Sequence, residues 1–141
     1  MSGASPPRPG FSLPIQEVRA AGLTAWLVED HAIPVVALSW SWRGGAALDP
    51  AGAEGTASMA AALLTEGAGP LAATAFADAL RDQAIGLNFG ADRDGFEGGF
   101  RALSDALPDA VRLARLAMVE PRFDPEAVER VRARAIAAAK R

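Results

Sequence analysis

An α+β fold, a two-layer sandwich with paired helices on one face of an antiparallel-rich sheet, is what the sequence predicts. Three observations predict it. Strand-like runs come in pairs around short turns, helix-like runs also come in pairs, and together they give the order ββααββαα. Of the 141 residues 50% are hydrophobic and 22% charged, the balance of a chain that buries a core and does not stay disordered.

Residues 1–16 read as a flexible leader, because Pro6, Pro7, Pro9 and Pro14 fall in a stretch with no basic start followed by an apolar run. The lack of such a signal favours a cytoplasmic chain, or a periplasmic one if the N-terminus is truncated. Residues 17–141 read as a single folding region. Thr24–Glu29 and Val35–Trp42 are strand-like and are expected to pair as a hairpin through the turn Asp30–Pro34. In the second strand Val36, Leu38, Trp40 and Trp42 share the heavier face at period two. Arg43–Gly52 has loop chemistry. A helix is predicted over Gly55–Glu66, with Met59, Ala60, Leu63 and Leu64 as its buried stripe and Gly67 as its stop.

A second helix fits Thr74–Ala84, with Phe76, Ala77, Leu80 and Ala84 on one side and Gly86 at its end. Leu87–Ala91 and Phe96–Leu103 follow as a second hairpin around Asp92-Arg93-Asp94-Gly95. Pro108 suits the first turn of a helix carrying Val111, Ala114 and Met118. Asp124 and Pro125 suit the N-cap and first position of a last helix, which places Val128, Val131, Ala135 and Ala138 on one side and shows no stop signal.

Charge and composition exclude several function classes. With 14 basic and 17 acidic residues and no basic block, the chain lacks the electrostatic footprint of a nucleic-acid binder or of a protein drawn to anionic membranes. No apolar run approaches the roughly 18 residues that span a bilayer. The absence of cysteine excludes disulfides, thiolate metal sites and cysteine nucleophiles. His31, the sole histidine, has no second imidazole to share a metal with and reads as a surface turn residue. Asp92, Asp94 and Glu97 are acidic neighbours, but Asp and Gly at a hairpin tip are accounted for by turn conformation, so no calcium site is assigned. Ser58 has neither a nucleophile elbow nor a histidine partner. Gly44-Gly45 and Gly98-Gly99 lack the spacing of a phosphate-cradling loop. Trp26, Trp40 and Trp42 read as sheet packing.

Four stretches in chain order carry a resemblance: Gly44-Gly45-Ala46-Ala47-Leu48-Asp49-Pro50, Gly55-Thr56-Ala57, Leu87-Asn88-Phe89 and Pro121-Arg122-Phe123-Asp124. Over about residues 18–141 the chain resembles the opening part of a domain of the M16 family, the insulinase or mitochondrial-processing-peptidase-like peptidases of M16/LuxS-like metallohydrolase type. The resemblance implies a helix bearing H-x-x-E-H, in which two imidazoles on one helical face grip zinc and the glutamate serves as base for the attacking water. Here the matching positions are Ser58, Ala61 and Ala62, and the family's third ligand, a glutamate on the last helix, falls at or beside Ala138. Its acidic neighbour falls at Val131. Methyl groups and one hydroxyl do not assemble a zinc site, so neither zinc nor peptidase activity is expected, and no other cofactor is implied.

Inactive M16 members occur as partners of catalytic subunits, so the resemblance implies a heterodimer with an active, zinc-bearing paralogue that encloses a substrate chamber. It also implies an edge strand at Leu87, Asn88, Phe89, Gly90 and Ala91 to which extended peptide adds through backbone hydrogen bonds. Family units are longer than this chain and go on to a second domain with an Arg/Tyr substrate-contact pair; this sequence has no tyrosine, and the domain is expected to be incomplete at its C-terminus. Two other readings stay open: a stand-alone peptide-binding or scaffold module, and a zinc metalloendopeptidase whose ligands are supplied from elsewhere.

Overall fold

A computed structural model describes residues 12–140, so residues 1–11 of the expected leader lie outside the described residues. The chain divides into two compact units, Met1–Ile33 and Pro34–Arg141.

In the first unit β1 (Gln16–Ala20) pairs antiparallel with β2 (Leu23–Leu27), from Gln16 opposite Leu27 to Ala20 opposite Leu23. The two linking residues, Ala21 and Gly22, both have positive φ, 50° and 79°. That is the backbone of a type I′ turn, whose twist matches the strands it joins. The expected pairing of Thr24–Glu29 with Val35–Trp42 is therefore wrong. The turn that decides the hairpin is Ala-Gly, a weaker sequence signal than Asn-Gly, and it makes the preceding residues a strand. Every residue of both strands is exposed. Trp26, expected in sheet packing, is 79% exposed on this two-stranded ribbon.

The second unit is organised by a three-stranded antiparallel sheet in the order β3 (Val35–Arg43), β7 (Gly95–Leu103), β6 (Gly86–Ala91). β3 finds its partner in β7, with Val35 opposite Leu103 and Arg43 opposite Gly95. Trp40 lies opposite Gly98, where a methyl group would come within 2.7 Å of the indole, so the ring occupies space that only glycine leaves. The ring meets Phe89 of β6 and Phe100 of β7 edge-on at 6.1 Å and 6.3 Å. Of the expected heavier face of β3 Trp40 packs against the core, whereas Leu38 and Trp42 remain 44% and 51% exposed.

Four helices accompany the sheet: α1 (Thr56–Leu63), α2 (Ala73–Asp82), α3 (Leu107–Val119) and α4 (Pro125–Ala139). Between α1 and α2 the sequence reading missed a small hairpin, β4 (Gly67–Ala68) with β5 (Leu71–Ala72), turned at Gly69 and Pro70. Gly67 does not merely stop a helix; it starts this hairpin with φ 111°. The order is accordingly βββαββαββαα and not ββααββαα. The α+β class and the antiparallel sheet stand.

The core joins Phe76 of α2, Ile85, Phe100 and Ala102 of β7, and a stripe of α3. That stripe is Ala110, Leu113, Ala114 and Ala117, while Val111 and Met118, two of the three expected, are 49% and 37% exposed. Alanine is the reason for the error: its small side chain lets a helix lie close on a sheet but leaves little hydrophobic pattern to read. On α2, Phe76 is fully buried, but Ala77 and Ala84 are exposed. Ala84 leaves the helix at φ 51° so that Ile85 can enter the core, and Gly86 opens β6 and does not end the helix. On α4 Ala127 and Val131 are buried, whereas Ala135 and Ala138 face solvent. No described helix is long and apolar enough to cross a membrane.

Candidate functional site

The site begins with the loop that delivers α1. Gly44, Ala46 and Ala47 donate backbone hydrogen bonds to Asp94, Asp92 and Arg93, each at 2.8 Å, which stitches this loop to the β6–β7 turn. Gly45 is buried, and a methyl there would fall 2.0 Å from the Asp92 carbonyl oxygen. Asp49 then reaches α1: Oδ2 accepts the Gly55 N–H at 2.7 Å and Oδ1 the Ala57 N–H at 2.9 Å. These are helix N-terminal donors that the helix itself leaves free, so Asp49 caps α1 from outside it. The loop motif therefore fixes where α1 starts and how it meets the sheet.

Along α1, Ser58 and Ala62 are exposed, one turn apart on one side, and Ala61 is buried at 4%. α1 packs against β6 and α4. On α4, Val131 is 3% exposed in an apolar cluster with Leu63 and Ala127, and Ala138 is exposed. The expected positions thus lie on two helices in contact, but their side chains present methyl groups, isopropyl and one hydroxyl. That set does not fit a tetrahedral zinc ion, which needs imidazole, carboxylate or thiolate donors.

β6 carries the other expected residues. It bonds to β7 from Gly86 opposite Arg101 to Ala91 opposite Phe96, and among the described residues its second edge pairs with no strand. Leu87 and Phe89 turn toward the core, while Asn88 is exposed on the opposite face. The tip of this hairpin uses its acidic residues for itself: Asp92 Oδ1 accepts the N–H of Asp94 at 2.8 Å and of Gly95 at 2.7 Å. His31 Nε2 stands 3.4 Å from Glu29 Oε2 on the surface of the first unit.

The Pro121–Asp124 stretch anchors the entry to α4. Arg122 donates through Nε to Asp124 at 2.8 Å and through a terminal nitrogen to the Gly69 carbonyl at 3.0 Å, and the hydrogen bond with Asp124 holds its guanidinium pKa above the usual value. Asp124 occupies the N-cap position as expected, but its carboxylate serves Arg122 and makes no cap bond. Sequence reasoning also missed Glu66, which meets Arg130 and Arg134 of α4 at 2.6 Å and 2.7 Å. Spacing in sequence held no sign of that meeting, apart from two arginines one turn apart.

No protein-family model matches the chain. The inactive domain of a peptidase M16 from Pseudomonas fluorescens superposes with a TM-score of 0.81 at 25% identity, over 89% of this chain and 31% of that one. A curated relative in Helicobacter pylori, the non-peptidase homolog YmxG, is 28% identical over 123 residues, 87% of this chain and 28% of its own length. The chain has an M16-like fold. Pitrilysin shares the M16-like fold at a TM-score of 0.70 and 24% identity, over 85% of this chain and 13% of its own. A protease from Helicobacter pylori does so at 0.71 and 16%, over 86% and 30%. The chain thus spans less than a third of the length of each of these relatives.

Proposed function

We propose that this chain is part of a non-catalytic M16-type protein that has lost the family's zinc, and that it associates with a zinc-bearing paralogue and contributes a wall of the peptide chamber. One observation carries the reading: the helix that would supply two imidazoles and a general base presents Ser58, Ala61 and Ala62. Without those groups no metal-bound water is generated and no base takes its proton. The names of two relatives, an inactive domain and a non-peptidase homologue, support the same reading.

The peptide role rests on β6. Its unpaired edge offers backbone donors and acceptors that an extended peptide can satisfy whatever its sequence, with affinity from the main chain and selectivity from the side chains flanking it. Leu87, Asn88, Phe89, Gly90 and Ala91 form that edge in the proposal. The test is co-expression with an M16 protein whose H-x-x-E-H is intact, followed by peptide hydrolysis assays on each chain alone and on the mixture. A co-purifying complex with hydrolysis faster than the active chain alone is expected. Absence of both a complex and any change in rate overturns the pairing. Peptide binding that persists without pairing would instead identify a stand-alone module, and hydrolysis or stoichiometric zinc in this chain alone would sink the non-catalytic reading.

A further inference from the structure

The contact between α1 and α4 is short. Leu63 packs with Ala127 and Val131, flanked by Met59 and Val128. Beyond Val131 every described residue of α4 is exposed, so apolar burial secures only the first half of this 15-residue helix. The second half is reached by one carboxylate. Glu66 lies just past the end of α1, where its N–H bonds to the Leu63 carbonyl at 3.0 Å and continues the helical turn. Its Oε2 accepts from Arg130 at 2.6 Å and its Oε1 from Arg134 at 2.7 Å, so each oxygen is taken by a different guanidinium. The Glu66 side chain is 17% exposed, against 49% and 63% for the arginines.

Spacing makes this arrangement specific. Arg130 and Arg134 are one turn apart on the same side of α4, so a single carboxylate can meet both. Among the described residues Glu129 is directed to Arg132 at 3.7 Å, and no ion pair other than those with Glu66 engages Arg130 or Arg134.

We propose that Glu66, Arg130 and Arg134 form a salt-sensitive clasp that holds the distal half of α4 against the end of α1. The clasp stands independently of the proposed function, since it follows from burial and charge alone. Removing the carboxylate breaks two charge-assisted bonds and leaves two like charges one turn apart. Because the arginines are half-exposed, added salt weakens the same contacts.

Hydrogen exchange on the full 141-residue chain tests this. In E66Q the amides of residues 132–139 should exchange about threefold to tenfold faster than in the unsubstituted protein, while those of α3 are unchanged. Raising sodium chloride to about 1 M should bring the unsubstituted protein toward E66Q and move E66Q little. R134Q keeps the Arg130 contact, so a smaller rise over the same residues is expected, and it serves if E66Q does not fold. Unchanged exchange over 132–139 in both variants overturns the clasp. So does an equal rise in α3, which would mark a general loss of stability, or an acceleration indifferent to salt.

Discussion

Asp49 shows how a single residue fixes the placement of a helix. Its carboxylate satisfies two N–H groups at the start of α1 while sitting in a loop pinned to the β6–β7 turn. Asp49→Ala should lower stability by about 1–2 kcal/mol, read from the midpoint of urea unfolding, as for loss of a helix cap. Gly45 has no room for a side chain against the Asp92 and Gly95 carbonyl oxygens. Gly45→Ala should therefore cost about 1–3 kcal/mol by the same measurement, the range of an overpacked site. Nearby, the backbone N–H groups of Glu54 itself and of Gly52 hold the Glu54 carboxyl below its ordinary pKa, against an opposing push from desolvation and the Asp49 charge. A depressed folded value means that its stabilising effect is present above the unfolded pKa and is lost as pH falls through the folded one. Carbon NMR should show Glu54 titrating below the free glutamate value, and Glu54→Gln should flatten that part of the acid limb of stability against pH.

Among the elements, α1 is where the proposed loss of zinc can be tested. Ser58 and Ala62 are both exposed and four residues apart, the spacing at which two imidazoles on one helix can share an ion. The double substitution S58H/A62H should confer zinc binding that raises Tm as zinc is added, while the unsubstituted chain shows no zinc-dependent rise. Identical zinc responses in the two proteins would contradict this account of the α1 face. The β6–β7 hairpin was legible because its turn is local: Asp92 sets the backbone by bonding to the N–H groups two and three residues on. β3 was legible as a strand but not in its partner, since its pairing to β7 depends on Gly98 lying far along the chain, where it leaves space for Trp40. The hairpin β4–β5 was hidden within a glycine-rich run that also reads as a helix stop.

At the scale of the molecule, the second unit is held by one core under α2, α3 and the sheet, with a smaller apolar cluster between α1 and α4. Local stability should follow that division, so amides of α3 around Leu113 should exchange slowest and those near the end of α4 fastest, by hydrogen exchange at neutral pH. The amino-acid sequence alone determined the class of fold, the presence of all four main helices and the second hairpin. These are legible because propensity, turn residues and side-chain identity belong to a residue and its near neighbours. Only the tertiary structure decided that β1 takes β2 as its partner and β3 takes β7, that alanines and not Val111 line the buried side of α3, and that Glu66 meets Arg130 and Arg134. Each of those outcomes depends on what distant segments bring into contact, and neither alanine nor a surface charge carries a local mark of which neighbour it will meet.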